Sequence, residues 1–90
     1  MKTKTEHAYI TRTPGVCGGE PIIKGTRIAV RLIAEWYRKG CTADEILEYY
    51  PHLDLAKIYD ALSYYHDHRK EMDKAIEENS EPHLKRAYNL

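Results

Sequence analysis

The residues that could do chemistry in this chain are five histidines, two cysteines and a glycine-rich stretch, and their spacing decides what they can do. His66 and His68 stand two apart in a segment that reads as helix, so they point to nearly opposite sides. His7, His52 and His83 fall in other segments, and no His-x-x-x-His spacing exists, so no metal site is expected. Cys17 and Cys41 lack a Cys-x-x-Cys spacing, which argues against a zinc site or a disulfide scaffold and for a reducing, cytoplasmic setting. Cys17 sits among glycines with no sequence neighbour that would lower its pKa, so it reads as a turn or buried residue and not a nucleophile. The run Pro14-Gly15-Val16-Cys17-Gly18-Gly19 could cradle a phosphate, but no Gly-Lys-Ser/Thr follows and no helix opens from it, so a turn is the expected role. No catalytic constellation and no cofactor are expected. The chain reads as a protein that binds and does not catalyse.

Charge is the next chemical resource. The formal net charge is zero, yet residues 1–41 hold eight Lys/Arg against three Asp/Glu, and residues 42–90 hold six against eleven. A basic first part could meet an anion and an acidic second part a basic partner; a head-to-tail dimer is the other reading. If nucleic acid is bound, Arg12, Lys24, Arg27 and Arg31 are the expected phosphate contacts, with Lys57 the one cation on the segment Asp54–Asp67. That segment also carries Asp54, Asp60 and Asp67, which opposes base-edge readout. Aromatic chemistry is supplied by eight Tyr and one Trp without any Phe, so hydroxyls must find partners. Tyr50 and Tyr65 read as core, and Tyr49 and Tyr64 as rim or dimer contacts.

The elements that position these groups are legible from periodicity and punctuation. Residues 1–7 are polar and read as frayed. Ala8 to Thr13 reads as a short strand, and Pro21-Ile22-Ile23 as a second extended piece before the Lys24-Gly25-Thr26 turn. Val30, Ile33, Ala34 and Tyr37 make one stripe of a first helix, roughly Val30 to Lys39, closed by Gly40. Leu32 and Trp36 form a second apolar pair on it, which suits a central helix or a second chain. Thr42 with Glu45 forms a capping box for a second helix carrying Ala43, Ile46, Leu47 and Tyr50, stopped at Pro51. Asp54 caps a third helix that could reach Asn79, with Leu55, Ile58, Leu62, Tyr65, Met72 and Ile76 on one seam. A helix that long would project from about His68 toward a partner; a break near His66–His68 and a fold-back onto the core is the alternative. Glu81-Pro82 then reads as a breaker, followed by a short amphipathic tail with Leu84, Ala87 and Tyr88. No export signal or membrane span is expected.

Helix, capped turn, helix, turn and helix within residues 30–68 outline a mainly α, homeodomain-like or winged helix-turn-helix bundle, with a short N-terminal β segment and a long C-terminal helix. The expected organisation is a frayed terminus over 1–7, a β plus helix-turn-helix domain over 8–68, and a helical extension and tail over 69–90. A core this small is helped by oligomerisation. A homodimer is therefore expected, with an interface for it or for a partner drawn from Tyr9, Ile22, Trp36, Tyr64, Arg69, Met72, Ile76, Leu84 and Tyr88.

The string from Thr13 through Pro14-Gly15-Val16-Cys17-Gly18-Gly19-Glu20-Pro21-Ile22-Ile23-Lys24-Gly25-Thr26-Arg27-Ile28-Ala29-Val30 carries a resemblance. With Gly40, Glu45-Ile46-Leu47, Tyr50-Pro51-His52-Leu53 and Tyr59-Asp60-Ala61-Leu62-Ser63-Tyr64-Tyr65, it resembles domain-of-unknown-function family 433 over about residues 8–68. The resemblance implies a helical domain preceded by a short β segment. It also implies an antitoxin-like role in a type II toxin–antitoxin system. In that role the chain would mask a PIN-like ribonuclease toxin with its C-terminal extension and bind double-stranded DNA at its own promoter. The other expectation is a helix-turn-helix module that binds protein and no DNA, as the acidic third helix favours.

Overall fold

The computed structural model describes the backbone of residues 7–88 and the side chains of residues 7–78. The order of elements is β1 (Ile10–Arg12), β2 (Pro21–Ile23), α1 (Val30–Arg38), α2 (Ala43–Tyr49), α3 (Leu55–Asp67) and α4 (Arg69–Tyr88). The protein is thus mainly helical with a short two-stranded β segment at its N-terminal end. Residues 1–6, expected to fray, lie outside the described residues, as do Asn89 and Leu90.

The β segment is an antiparallel pair in which Ile10 faces Ile23, Thr11 faces Ile22 and Arg12 faces Pro21. The strand expected over Ala8–Thr13 is trimmed at both ends, because β2 offers only three residues to pair with. Strand alternation sends Ile23 into the main core. Ile22, also buried, lies outside that cluster and bridges to Ala29. Ile22 is therefore covered by its own chain, which corrects its expected place in a dimer interface.

The helix boundaries follow the local chemistry. The Thr42 hydroxyl accepts from the Glu45 amide and the Glu45 carboxylate accepts from the Thr42 amide, so two otherwise orphaned donors are satisfied at the start of α2. Asp54 caps α3 by accepting from the Lys57 amide. Gly40 follows α1 at φ +99°, a conformation that ends a helix without the clash a Cβ would bring. Apolar residues at helical spacing then close one core. Val30, Ile33 and Ala34 of α1, Ala43 and Ile46 of α2, and Ile58, Ala61, Leu62 and Tyr65 of α3 all bury in it.

The C-terminal part departs from the projecting helix expected. The chain breaks at His68 (φ −127°, ψ 43°), and α4 folds back on the core. Met72 (2% exposed) and Ile76 (5%) join the cluster that contains Ile23 and Val30, so neither is a partner contact. The seam is apolar along its length, but its second half faces this chain's own core. The break separates 67 from 69 in helix direction and leaves one core spanning Ile23 to Ile76, so packing does not divide the chain at residue 68. Pro82, expected to break the helix, lies inside α4. It forfeits one ladder hydrogen bond within a helix of 20 residues.

Candidate nucleic-acid and partner interface

The best-defined site is the loop from Ile23 to Ile28, between β2 and α1. Its backbone closes on itself: the Ile23 amide donates to the Ile28 carbonyl at 2.9 Å and the Thr26 amide to the Ile23 carbonyl at 3.0 Å. The Thr26 hydroxyl donates to the Ile23 carbonyl at 2.7 Å and accepts from the Ile28 amide at 2.9 Å. Gly25 at φ +82° makes the turn that this closure needs. From the other side the Cys17 thiol donates to the Arg27 carbonyl at 3.0 Å, which answers what Cys17 does: it ties the glycine-rich turn to this loop. Lys24 and Arg27 stand on this fastened scaffold with exposed side chains. An open depression beside them is lined by Val16, Gly25, Thr26, Arg27, Ile28 and His52, the last from the turn between α2 and α3.

The other cations expected to contact phosphate are engaged within the chain. The Arg31 guanidinium donates to both carboxylate oxygens of Glu20, at 3.1 and 3.2 Å, and to Glu35 at 3.2 Å. Burial opposes its charge, but Glu20 and Glu35 outweigh burial and hold it above the usual arginine value. Arg31 therefore fastens the glycine-rich turn to α1. Arg12 donates to Glu71 at 2.9 Å and to the Tyr64 hydroxyl at 3.4 Å. Lys57 is half-buried, 3.7 Å from Asp54 and 5.9 Å from the centre of the Tyr9 ring. Five residues expected to contact nucleic acid thus divide into three cations paired within the chain and the pair Lys24 and Arg27.

The aspartates that make α3 acidic also have structural partners. Asp60 accepts the Tyr9 amide at 2.8 Å and lies 3.3 Å from Nδ1 of His7. Asp67 lies 2.9 Å from Nε2 of the same ring. His7, placed with the frayed terminus in the sequence reading, is instead a clasp between the N-terminal segment and α3. Its ring also meets Tyr64 edge-on at 5.2 Å, and Tyr64 stacks on His68 at 4.2 Å. No sequence spacing could have shown this, since the partners lie 53 and 60 residues away. With Asp54 used as a cap, all three carboxylates of α3 are accounted for. The outward residues of α3 include Ala56, Tyr59, Ser63 and His66.

A second surface is aromatic. Trp36 stacks on Tyr49 with centroids 4.2 Å apart and planes 10° from parallel. Its indole N–H donates to the Tyr50 hydroxyl at 3.2 Å, and the Lys39 ammonium lies 5.2 Å from the ring centroid. Trp36 is half-buried and Tyr49 is 55% exposed, so the pair presents an apolar face on which the indole N–H is satisfied within the chain. Tyr9 is 40% exposed. Arg69 lies over the Tyr65 ring at 4.9 Å and 3.5 Å from Asp73, so its head is held at the α3–α4 junction. Leu84 and Tyr88 fall within α4, but their side chains lie outside the described residues. Among the described residues no group of His, Cys, Asp or Glu could hold a metal ion. No helix among them is long and apolar enough to cross a membrane.

Comparison with known proteins places the same stretch in focus. A family model described as "Protein of unknown function (DUF433)" matches residues 10–65. The chain is 37% identical over 49 residues to "Uncharacterized protein y4eO" of Sinorhizobium fredii (strain NBRC 101917 / NGR234), a match covering 54% of this chain and 22% of that relative. The chain therefore spans about a fifth of that protein's length. A crystal structure of a DUF433 member protein from Anabaena variabilis ATCC 29413 superposes with a TM-score of 0.70 at 35% identity. It covers 76% of this chain and 67% of its own.

Proposed function

The chain belongs to the DUF433 family, and from that premise we propose that it is an antitoxin-like component of a type II toxin–antitoxin system, acting in the cytoplasm by binding and masking a PIN-like ribonuclease toxin. It works by binding, without catalysis, as a homodimer. The observation that carries this reading is the extent of α4. The helix runs to Tyr88, twelve residues beyond Ile76, which is the last buried residue among the described side chains, themselves ending at Glu78. Twelve helical residues span about 18 Å, enough to lie along a partner's groove. The acidic balance of residues 42–90 suits a basic groove.

The test is capture from native-host extract after nuclease treatment, using the full chain and a form ending at Glu78. A PIN-like nuclease held at stoichiometric level by the full chain and lost from the shortened form is the expected result. Retention by the shortened form would move the masking surface elsewhere, to the Trp36–Tyr49 face. Recovery of the protein alone would remove the masking role.

Binding of the chain's own promoter is the second half of the reading. A specific observation favours the protein-only alternative: Arg12, Arg31 and Lys57 are committed inside the chain, which leaves the outward face of α3 without a free cation.

A further inference from the structure

Among the cations between residues 7 and 41, Arg12 pairs with Glu71, Arg31 with Glu20 and Glu35, and Arg38 with Asp73. Lys39 lies over Trp36. Lys24 and Arg27 are what this pairing leaves, and both project from the loop fastened by Thr26 and Cys17. A long cationic side chain on a fixed backbone loses less freedom on meeting an anion than one on a loose loop. The tertiary fold adds His52, which reaches the same depression from the turn before α3, 25 residues beyond Arg27 in the chain. The nearest acidic residue in sequence, Asp54, is turned to the Lys57 amide and ammonium, so its charge is already offset. The apolar side chains Val16 and Ile28 line the depression without competing for an anion.

We propose that the depression between the Lys24–Ile28 loop and the α2–α3 turn is an anion site, formed by Arg27 and His52 with Lys24 exposed on the same loop, that takes a backbone phosphate of double-stranded nucleic acid. This deepens the promoter-binding half of the proposed function and rests on it. It moves the anchor from the α3 side chains, which cannot supply it, to the loop and turn at the N-terminal end of α3. Phosphate contacts there orient the domain without reading sequence. The acidity of α3 then ceases to conflict with nucleic-acid binding, because α3 need not touch the phosphates.

Amide and imidazole NMR shifts of the full chain, followed during titration with a short promoter duplex and separately with inorganic phosphate, test the site. Expected are shifts at Gly25, Thr26, Arg27, Ile28 and His52 with the duplex. The duplex affinity should fall with salt, and Arg27→Gln should lower the slope of log affinity against log salt by about 1, with His52→Ala weakening binding several-fold. Both substitutions alter exposed heads, and unchanged circular dichroism checks the fold. Duplex shifts confined to α3, with the loop silent, would overturn the site and leave promoter binding standing. Loop shifts with inorganic phosphate and none with the duplex would overturn nucleic acid as the source of the phosphate, and promoter binding with it. Silence in both titrations would overturn site and source together.

Discussion

Asp73 shows how a single half-buried carboxylate acquires a stabilising role. It accepts the Tyr65 hydroxyl at 2.7 Å and lies 3.5 Å from both Arg38 and Arg69. The Tyr65 hydrogen bond, followed by these two cations, holds Asp73 below the usual carboxylate value. A depressed carboxyl adds stability that is present above about pH 4, where the unfolded chain is ionised, and is lost as pH falls through the lowered value. Urea midpoints measured from pH 7 down to pH 2 should therefore fall less steeply for Asp73→Asn than for the wild type; parallel profiles would refute the linkage. Tyr65 shows the opposite sign. Burial, then its bond to Asp73, raises its pKa, so its contribution is intact below about pH 10 and lost as pH rises through the raised value. Tyr65→Phe should cost about 1 kcal/mol by removing that bond while keeping the buried ring. Two further residues are tested by backbone. Gly25→Ala should destabilise by about 1–2 kcal/mol, since φ +82° is strained for any Cβ even though nothing crowds it. His7→Ala should speed hydrogen exchange at the Tyr9 amide, because the clasp on Asp60 and Asp67 is lost; unchanged exchange would show that Tyr9 alone holds the segment.

At the scale of elements, the first turns of α4 belong to the core. Met72→Ala or Ile76→Ala should each cost about 2–5 kcal/mol, as for other large-to-small changes in a packed interior. The same logic separates two truncations. Ending the chain at His68 removes both side chains and should leave a form with a broadened or absent unfolding transition. Ending it at Glu78 should keep the thermal midpoint within a few degrees of the full chain. A cooperative, native-like transition in the shorter form would mean that α1–α3 and the β pair suffice. Arg31 belongs to this scale as well, since it joins the glycine-rich turn to α1. Reversing its charge would set three like charges together and unfold the junction, so loss of DNA binding in Arg31→Glu would say nothing about phosphate contacts. Arg27 is the clean position for that experiment.

For the whole molecule, a core of this size gains from a second chain, and exposed Tyr49 stacked on half-buried Trp36 is an apolar face suited to one. If the proposed homodimer uses this face, Trp36 emission should move to longer wavelength on dilution through the dissociation range. Sedimentation should report the change in mass over the same concentrations. A dimer whose dissociation leaves Trp36 emission unchanged would place the interface elsewhere. The charge asymmetry between residues 1–41 and 42–90 is already partly spent inside the monomer, through Arg12–Glu71 and Arg38–Asp73. A head-to-tail association driven by charge is accordingly less needed than the sequence alone would suggest.

Local signals determined much of this protein by themselves. The capping box at Thr42 and Glu45, the Asp54 cap, the stop at Pro51 and Gly40, and the stripe Val30, Ile33 and Ala34 act over three or four residues, so they are written in the sequence and hold in the structure, whereas Tyr37, the fourth residue expected on that stripe, is 39% exposed. The family was likewise legible, because its motifs are contiguous strings with ordered spacing. The tertiary structure decided what the seam beyond Tyr65 faces, since Met72 and Ile76 fit a partner or this chain's own core equally well until the direction of α4 is known. It also decided which cations are free. Glu20, Glu71 and Asp73 reach Arg31, Arg12 and Arg38 across turns and between helices, and the geometry of the fold selects those pairs. The structural role of His7 and the meeting of His52 with Arg27 were hidden for the same reason: each depends on elements brought together only when the core closes.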